Sequence, residues 1–146
     1  MKKYIVLFLC ILSNTGFAAM RDYQCLHLQI VIKNKTSNTC YLIGHSSKTA
    51  PIYSDKGDFV FKILPGEESS ILDIRSGSPF VSPSMELEYE CGEGRTITLH
   101  SEKNLCGNDN TTTAFLTSAA NLNARHETTP ANYWSNQPAS VHWTIF

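Results

Sequence analysis

Histidine, glutamate, cysteine and loop aromatics are the side chains in this sequence whose types and spacing could do chemistry. His27, His100 and His142 each take the outward position of an alternating segment. They would form an acid–base or metal-binding trio only if those segments were neighbours. His45 and His126 fall in turns or loops with no partner pattern. Glu86, Glu88 and Glu90 recur at every second residue and so share one strand face. Glycoside hydrolysis needs two carboxyl groups in a cleft with different environments. A stripe of outward glutamates instead keeps a strand soluble and deters edge pairing. No G-x-S-x-G elbow and no C-x-x-C pair occurs. These residues therefore predict no catalytic residue, no metal site, no cofactor and no enzyme activity.

The cysteines point to a compartment. Met1-Lys2-Lys3 is a positive start, Tyr4 to Leu12 is an unbroken apolar run, and Ser13 to Ala18 is polar to small. This is the pattern of a secretory signal peptide over residues 1–18, cut after Ala18, with small residues at Gly16 and Ala18. The apolar run is about half of the roughly 20 residues a membrane helix needs. The Lys-Lys start looks bacterial, so export means the periplasm or beyond. Removing 18 of 146 residues leaves one domain over 19–146, with 10 basic and 13 acidic residues. That acidic balance argues against a nucleic-acid partner. No later stretch is apolar and long enough to span a bilayer, so the mature chain is not expected to be an integral membrane protein. Cys10 leaves with the leader, and Cys25, Cys40, Cys91 and Cys106 remain, an even number that reads as two disulfides.

Period-two alternation supplies the elements that position these residues. Leu26, Leu28, Ile30 and Ile32 share one face, and His27, Gln29, Val31 and Lys33 share the other. A polar turn at 34–38 leads into a second strand at Cys40–Ile43, a third covers 59–63, and Pro65-Gly66 fits a type II turn before a fourth at 70–74. Met85 to Cys91 alternates cleanly, and Gly92-Glu93-Gly94 closes a hairpin into residues 95–100. The prolines of segment 77–83 exclude it from a sheet interior. Phe115, Ala119 and Leu122 stand at helical spacing, which allows a short helix over 114–125. A polar loop over 128–139 and a closing strand at 141–146 complete a mainly β chain, read as an antiparallel two-sheet β-sandwich.

Geometry narrows the disulfide pairing. A hairpin of 26–33 with 39–45 would put Cys40 opposite Ile32 and Cys25 roughly 23 Å away, at ~3.3 Å per residue. A disulfide spans only about 7 Å between α-carbons. Cys40 and Cys91 both face inward by side-chain parity, so Cys40–Cys91 is favoured and Cys25–Cys106 is left to tie the first strand to the late loop. Closing roughly 50 residues is worth about 4 kcal/mol in the chain-entropy model.

Binding has more support than catalysis. Two loops carry aromatics, Phe80 in one and Tyr133 and Trp134 in the other. Loops on a rigid scaffold commonly carry recognition, and tyrosine and tryptophan are favoured contact residues. The competing reading is that Trp134 folds back to cap the core. Two sequons, at Asn34 and Asn110, are read as accidental given the bacterial-looking leader.

Ile30-x-Ile32-x-Asn34-x-Thr36, then Ile63-x-Pro65-Gly66, then a hairpin bearing Tyr89 make up an order of features. Over roughly residues 26–100 it resembles the aegerolysin-like family of small secreted β-sandwich proteins, and more generally exported proteins of Gram-negative bacteria such as Legionella. The resemblance implies an acidic, lipid-binding sandwich able to recruit partner proteins into pores; four mature cysteines and an Asn-rich tail depart from it. The expectation is an exported, non-enzymatic β-sandwich that binds a surface ligand (lipid, glycan or protein) through its loops, in host or envelope interaction. The alternative is a periplasmic structural or inhibitory protein docking on one protein partner.

Overall fold

Leu28, Ile30 and Ile32 are fully buried while Gln29, Val31 and Lys33 between them are half-exposed, so the alternation of the sequence becomes the two faces of a strand. The same rule builds every long element of the computed structural model, which describes residues 26–48, 52–54, 61–78, 80–104, 111–132, 135 and 137–146. In chain order the strands are β1 (His27–Asn34), β2 (Cys40–Ser47), β3 (Ile52–Ser54), β4 (Lys62–Ile63), β5 (Leu72–Arg75), β6 (Ser84–Glu90), β7 (Thr96–Lys103), β8 (Thr112–Ala120), β9 (Ala124–Thr129) and β10 (Ala139–Ile145). They form two five-stranded sheets, ordered β3-β5-β1-β10-β9 and β4-β2-β6-β7-β8. Inward side chains of both sheets share one core that includes Leu28, Ile30, Leu87, Leu99, Val141 and Trp143. Fully burying each such side chain is worth about 1.5–3 kcal/mol. Among the described residues no helix is long and apolar enough to cross a membrane.

Three expectations are corrected. Residues 114–125 hold no helix: β8 pairs with β7 from Thr96↔Ala120 to Lys103↔Thr112, then Asn121 turns the chain at a φ of 55° into β9. Ala114 and Leu116 face inward while Phe115 faces out, so period two prevails over the helical spacing once β7 offers a free edge. The sandwich is not purely antiparallel, because β1 and β10 run parallel down the middle of the first sheet. Parallel neighbours cannot be joined by a tight turn, and the chain between these two builds the whole second sheet. Finally, residues 26–33 and 39–45 are not a hairpin. Both edges of β1 are taken by β5 and β10, so the turn after it carries the chain to the other sheet.

That crossing is organised by Asn34. Its side-chain Nδ2 donates to the carbonyls of Asn38 (2.7 Å) and Ile63 (2.9 Å), and its Oδ1 accepts from the N–H and Oγ1 of Thr36. Its backbone N–H donates to Glu67, and its carbonyl accepts from Gly66, which sits at φ 81° as the expected type II turn requires. The Asn34 sequon is thus internal structure, since the amide that a glycan would need is fully buried and fully bonded. The corner delivers Cys40 directly opposite Cys91 on adjacent antiparallel strands, and the two form the expected disulfide across a Cα–Cα distance of 4.0 Å. Cys25 and Cys106 lie outside the described residues. The β6–β7 hairpin forms as read. Its Gly92 combines a φ of 97° with a backbone so close to Asn38 that an added Cβ would lie 2.7 Å from the amide nitrogen.

Asn34→Ala should cost about 2–3 kcal/mol or more, because the buried Ile63 carbonyl and the Thr36 amide each lose a partner worth ~1–3 kcal/mol. A urea midpoint shifted at constant slope checks this. Tyr89 is fully buried, its hydroxyl has no hydrogen-bond partner among the described residues, and burial pushes its ionisation far up. Tyr89→Phe should therefore raise stability by about 1 kcal/mol in the same assay.

Candidate functional site

Strand directions decide which loops meet. β5 ends at Arg75 beside His27, at the start of β1, and parallel β10 starts at Ala139 beside Leu28. Loop 76–83 therefore leaves the first sheet at the end where loop 130–138 enters it. Ser76 and Ser78 fix the base of the first loop through Ser76 Oγ donating to the Ser78 carbonyl at 2.7 Å. At its tip Phe80 is 84% exposed and Val81 42% exposed, an adjacent apolar pair pushed into solvent. Tyr133 and Trp134 lie outside the described residues. The strand ends nonetheless attach their loop at the Phe80 end, where the bridge Asn132↔Gln137 narrows its neck.

The three outward histidines do not assemble. His27 and His142 belong to the first sheet and His100 to the second, so they lie on opposite outer faces. Nor are all three wet, as their parity suggested. His27 is buried with Nδ1 3.2 Å from Asp73 Oδ1, and Asp73 also accepts from Arg75 Nε at 2.9 Å. His100 is buried beneath Phe115, whose ring stacks on it at 4.5 Å. Its Nδ1 lies 3.4 Å from Glu86, and its Nε2 lies 3.4 Å from Glu102. Glu86 also accepts from the hydroxyls of Ser46 on β2 and of Thr117 on β8, one strand beyond β7. One glutamate of the outward stripe thus ties β2, β6, β7 and β8 together across the sheet. Burial is the largest influence on its carboxyl and opposes ionisation. The hydrogen bonds from Thr117 and Ser46, with the nearby His100 ring, together hold the pKa below the usual value. Among the described residues no group of three such side chains is placed to hold a metal ion.

A feature absent from the sequence reading occupies the outer face of the first sheet. Register sets Val31, His142 and Glu127 in one row and Lys33, Thr144 and Arg125 in the next. A third row follows, with Lys35, Phe146 and Asn123 joined by the bonds Lys35 N–H to Ile145 and Asn123 N–H to Phe146. Short Thr144 lies between two long cationic side chains, and the result is an open groove of about 520 Å3. Lys33 is held by Glu68 at 2.9 Å, and this hydrogen bond keeps the Glu68 carboxyl below its ordinary value. Arg125 lies over the Phe146 ring at 5.4 Å. Among the described residues neither Lys35 nor Arg125 has a carboxylate in ion-pair reach. The signal was present as two alternating runs, Val31-x-Lys33-x-Lys35 and His142-x-Thr144-x-Phe146, but nothing in either run says that they lie side by side.

No protein-family model and no curated protein matches the chain. Solved structures do resemble it. The lipid-binding protein Nakanori superposes with a TM-score of 0.59 at 10% identity, over 82% of this chain and 70% of its own. RahU protein, solved in complex with a TRIS molecule, gives 0.62 at 10% identity over 84% and 97%. IP-1A from Alcaligenes faecalis gives 0.57 at 8% identity over 85% and 92%. At such identities the likeness is one of fold.

A carboxyl whose folded pKa is depressed contributes stability above its unfolded value, about 4.3 for glutamate. That contribution is lost as pH falls through the folded value. Glu86→Gln removes it, so the stability gap between the native protein and this variant should be full well above the unfolded value and narrow as pH falls below it. Urea titrations across that range measure the gap.

Proposed function

We propose that this is an exported, non-enzymatic binding protein that engages a surface ligand through the Phe80 end of its sandwich, and that the ligand is a lipid surface. The observation that carries the reading is the apolar pair at the tip of loop 76–83, with Phe80 almost entirely in water. Exposing an aromatic ring forgoes about 1.5–3 kcal/mol of burial that a partner can recover. The loop bearing Tyr133 and Trp134 attaches at the same end, and rings of this kind suit the boundary between apolar chains and polar headgroups. The fold is shared with a lipid-binding protein, which favours lipid over glycan. The Cys40–Cys91 disulfide supports an oxidising compartment, and the acidic mature charge speaks against nucleic acid.

Co-sedimentation of the mature protein with phospholipid vesicles tests this. Phe80→Ala should weaken retention about 10-fold or more, since the lost burial exceeds ~1.4 kcal/mol, while the melting temperature stays unchanged because the ring touches little. Tyr133→Ala and Trp134→Ala should weaken retention as well. Retention unchanged in all three variants removes the loop reading and favours docking on a single protein partner. Turnover on ester, peptide or glycoside substrates would overturn the non-enzymatic part.

A further inference from the structure

We propose that the groove on the outer face of β1, β10 and β9 is a second ligand site, and that it takes an organic phosphate ester. Neighbouring strands lie about 4.8 Å apart and successive rows on one face about 6.6 Å apart, so the backbones that carry Lys35 and Arg125, two strands and one row apart, are separated by roughly 12 Å. The floor is Thr144 on β10 and the exposed ring of Phe146 just after it. Two cations thus stand diagonally across an aromatic floor with a hydroxyl beside it. Lys33 is already neutralised by Glu68, which leaves Lys35 and Arg125 as the cations without a carboxylate among the described residues.

Charge along the groove is polarised. Glu127 sits at the β9 position opposite His142, whereas Lys35 and Arg125 flank Phe146 at the other end. An anionic group therefore settles at the Phe146 end. A phosphate presents several terminal oxygens at tetrahedral angles, enough for the planar Arg125 fork, the Lys35 ammonium and the Thr144 hydroxyl at once. A carboxylate offers fewer oxygens, all in one plane and carrying a single charge, so it matches this spread of donors less well. The organic part of the ester then lies on Phe146. This end of the groove is at the far end of β10 from the Phe80 loop, so the site is open while that loop is engaged.

The test uses the mature full chain and phenyl phosphate, followed by amide NMR shifts and calorimetry. Phenyl phosphate should shift Arg125, Thr144 and Phe146, bind more weakly as salt rises, and outcompete benzoate. Arg125→Gln with Lys35→Gln should weaken it about 10-fold or more. Both residues are exposed, so the variant should keep its melting temperature. Phe80→Ala should bind phenyl phosphate normally, which separates this site from the loop reading. Competition by phosphatidylglycerol vesicles would identify the source of the ester as a lipid headgroup, and its absence a free ester; either result supports the site. Shifts confined to other residues, or equal affinity in the double variant, would overturn it.

Discussion

Asn34 makes four side-chain and two main-chain hydrogen bonds, and together they hold three separate pieces of chain at one corner. The pieces are the end of β1, the crossing turn at 35–39, and the segment after β4 that carries Pro65-Gly66. An aspartate of the same shape could not donate, and a leucine could not bond at all, so the corner depends on an amide. Its consequences spread outward. Because the chain leaves the first sheet here, β1 keeps both edges free for β5 and β10, and β2 enters the second sheet with Cys40 aligned on Cys91. The groove exists only because β1 and β10 are neighbours. The motif Asn34-x-Thr36 and the later Ile63-x-Pro65-Gly66, distant in sequence, are two halves of this one network.

The two ends of the sandwich differ in how they are filled. Near the Asn34 corner, behind the fully bonded amide network, the core is apolar and closed by the disulfide. Toward the Phe80 end the inner face of β7 turns polar. Ser101 accepts from Trp143 Nε1 at 2.9 Å, and Lys103 is fully buried with its ammonium on the Asn104 carbonyl at 2.7 Å. Burial lowers the Lys103 pKa, because the charged form has lost its water. Ser76 and Ser84 are buried at the same end. Less apolar burial there means less local stability, and loops that meet ligands are commonly drawn from such regions.

Much of this architecture was legible. Alternation identified β1, β6, β7 and β10, the glycines marked the 92–94 turn, and inward parity chose Cys40–Cys91. Partnership between strands was not legible, because a polar turn such as 35–39 looks the same whether it closes a hairpin or crosses between sheets. The Cys25–Cys40 pairing was excluded on a hairpin that does not exist, although Cys40 proved to be taken by Cys91. Residues 114–125 misled because Phe115, Ala119 and Leu122 satisfy helical spacing by coincidence, while the Thr- and Ser-bearing stretch around them suits a strand. Parity placed His27 and His100 outward correctly, but it says nothing of what covers an outward side chain. Phe80 stands exposed as a loop aromatic should, whereas the groove needs three strands in register and no single segment announces it.

The parallel pairing of β1 with β10 also governs when the molecule can become itself. Leu28 meets Ala139, and Asn34 meets Ile145, so the middle of the first sheet joins segments from far apart in the chain. Such contacts demand a large loss of chain freedom before they return anything, which slows folding. The β6-β7-β8 part of the second sheet, two sequence-local antiparallel pairings, can assemble early, while β1 waits with one flank bare. The first sheet, and with it the groove, is completed only when β10 reaches the open edge of β1.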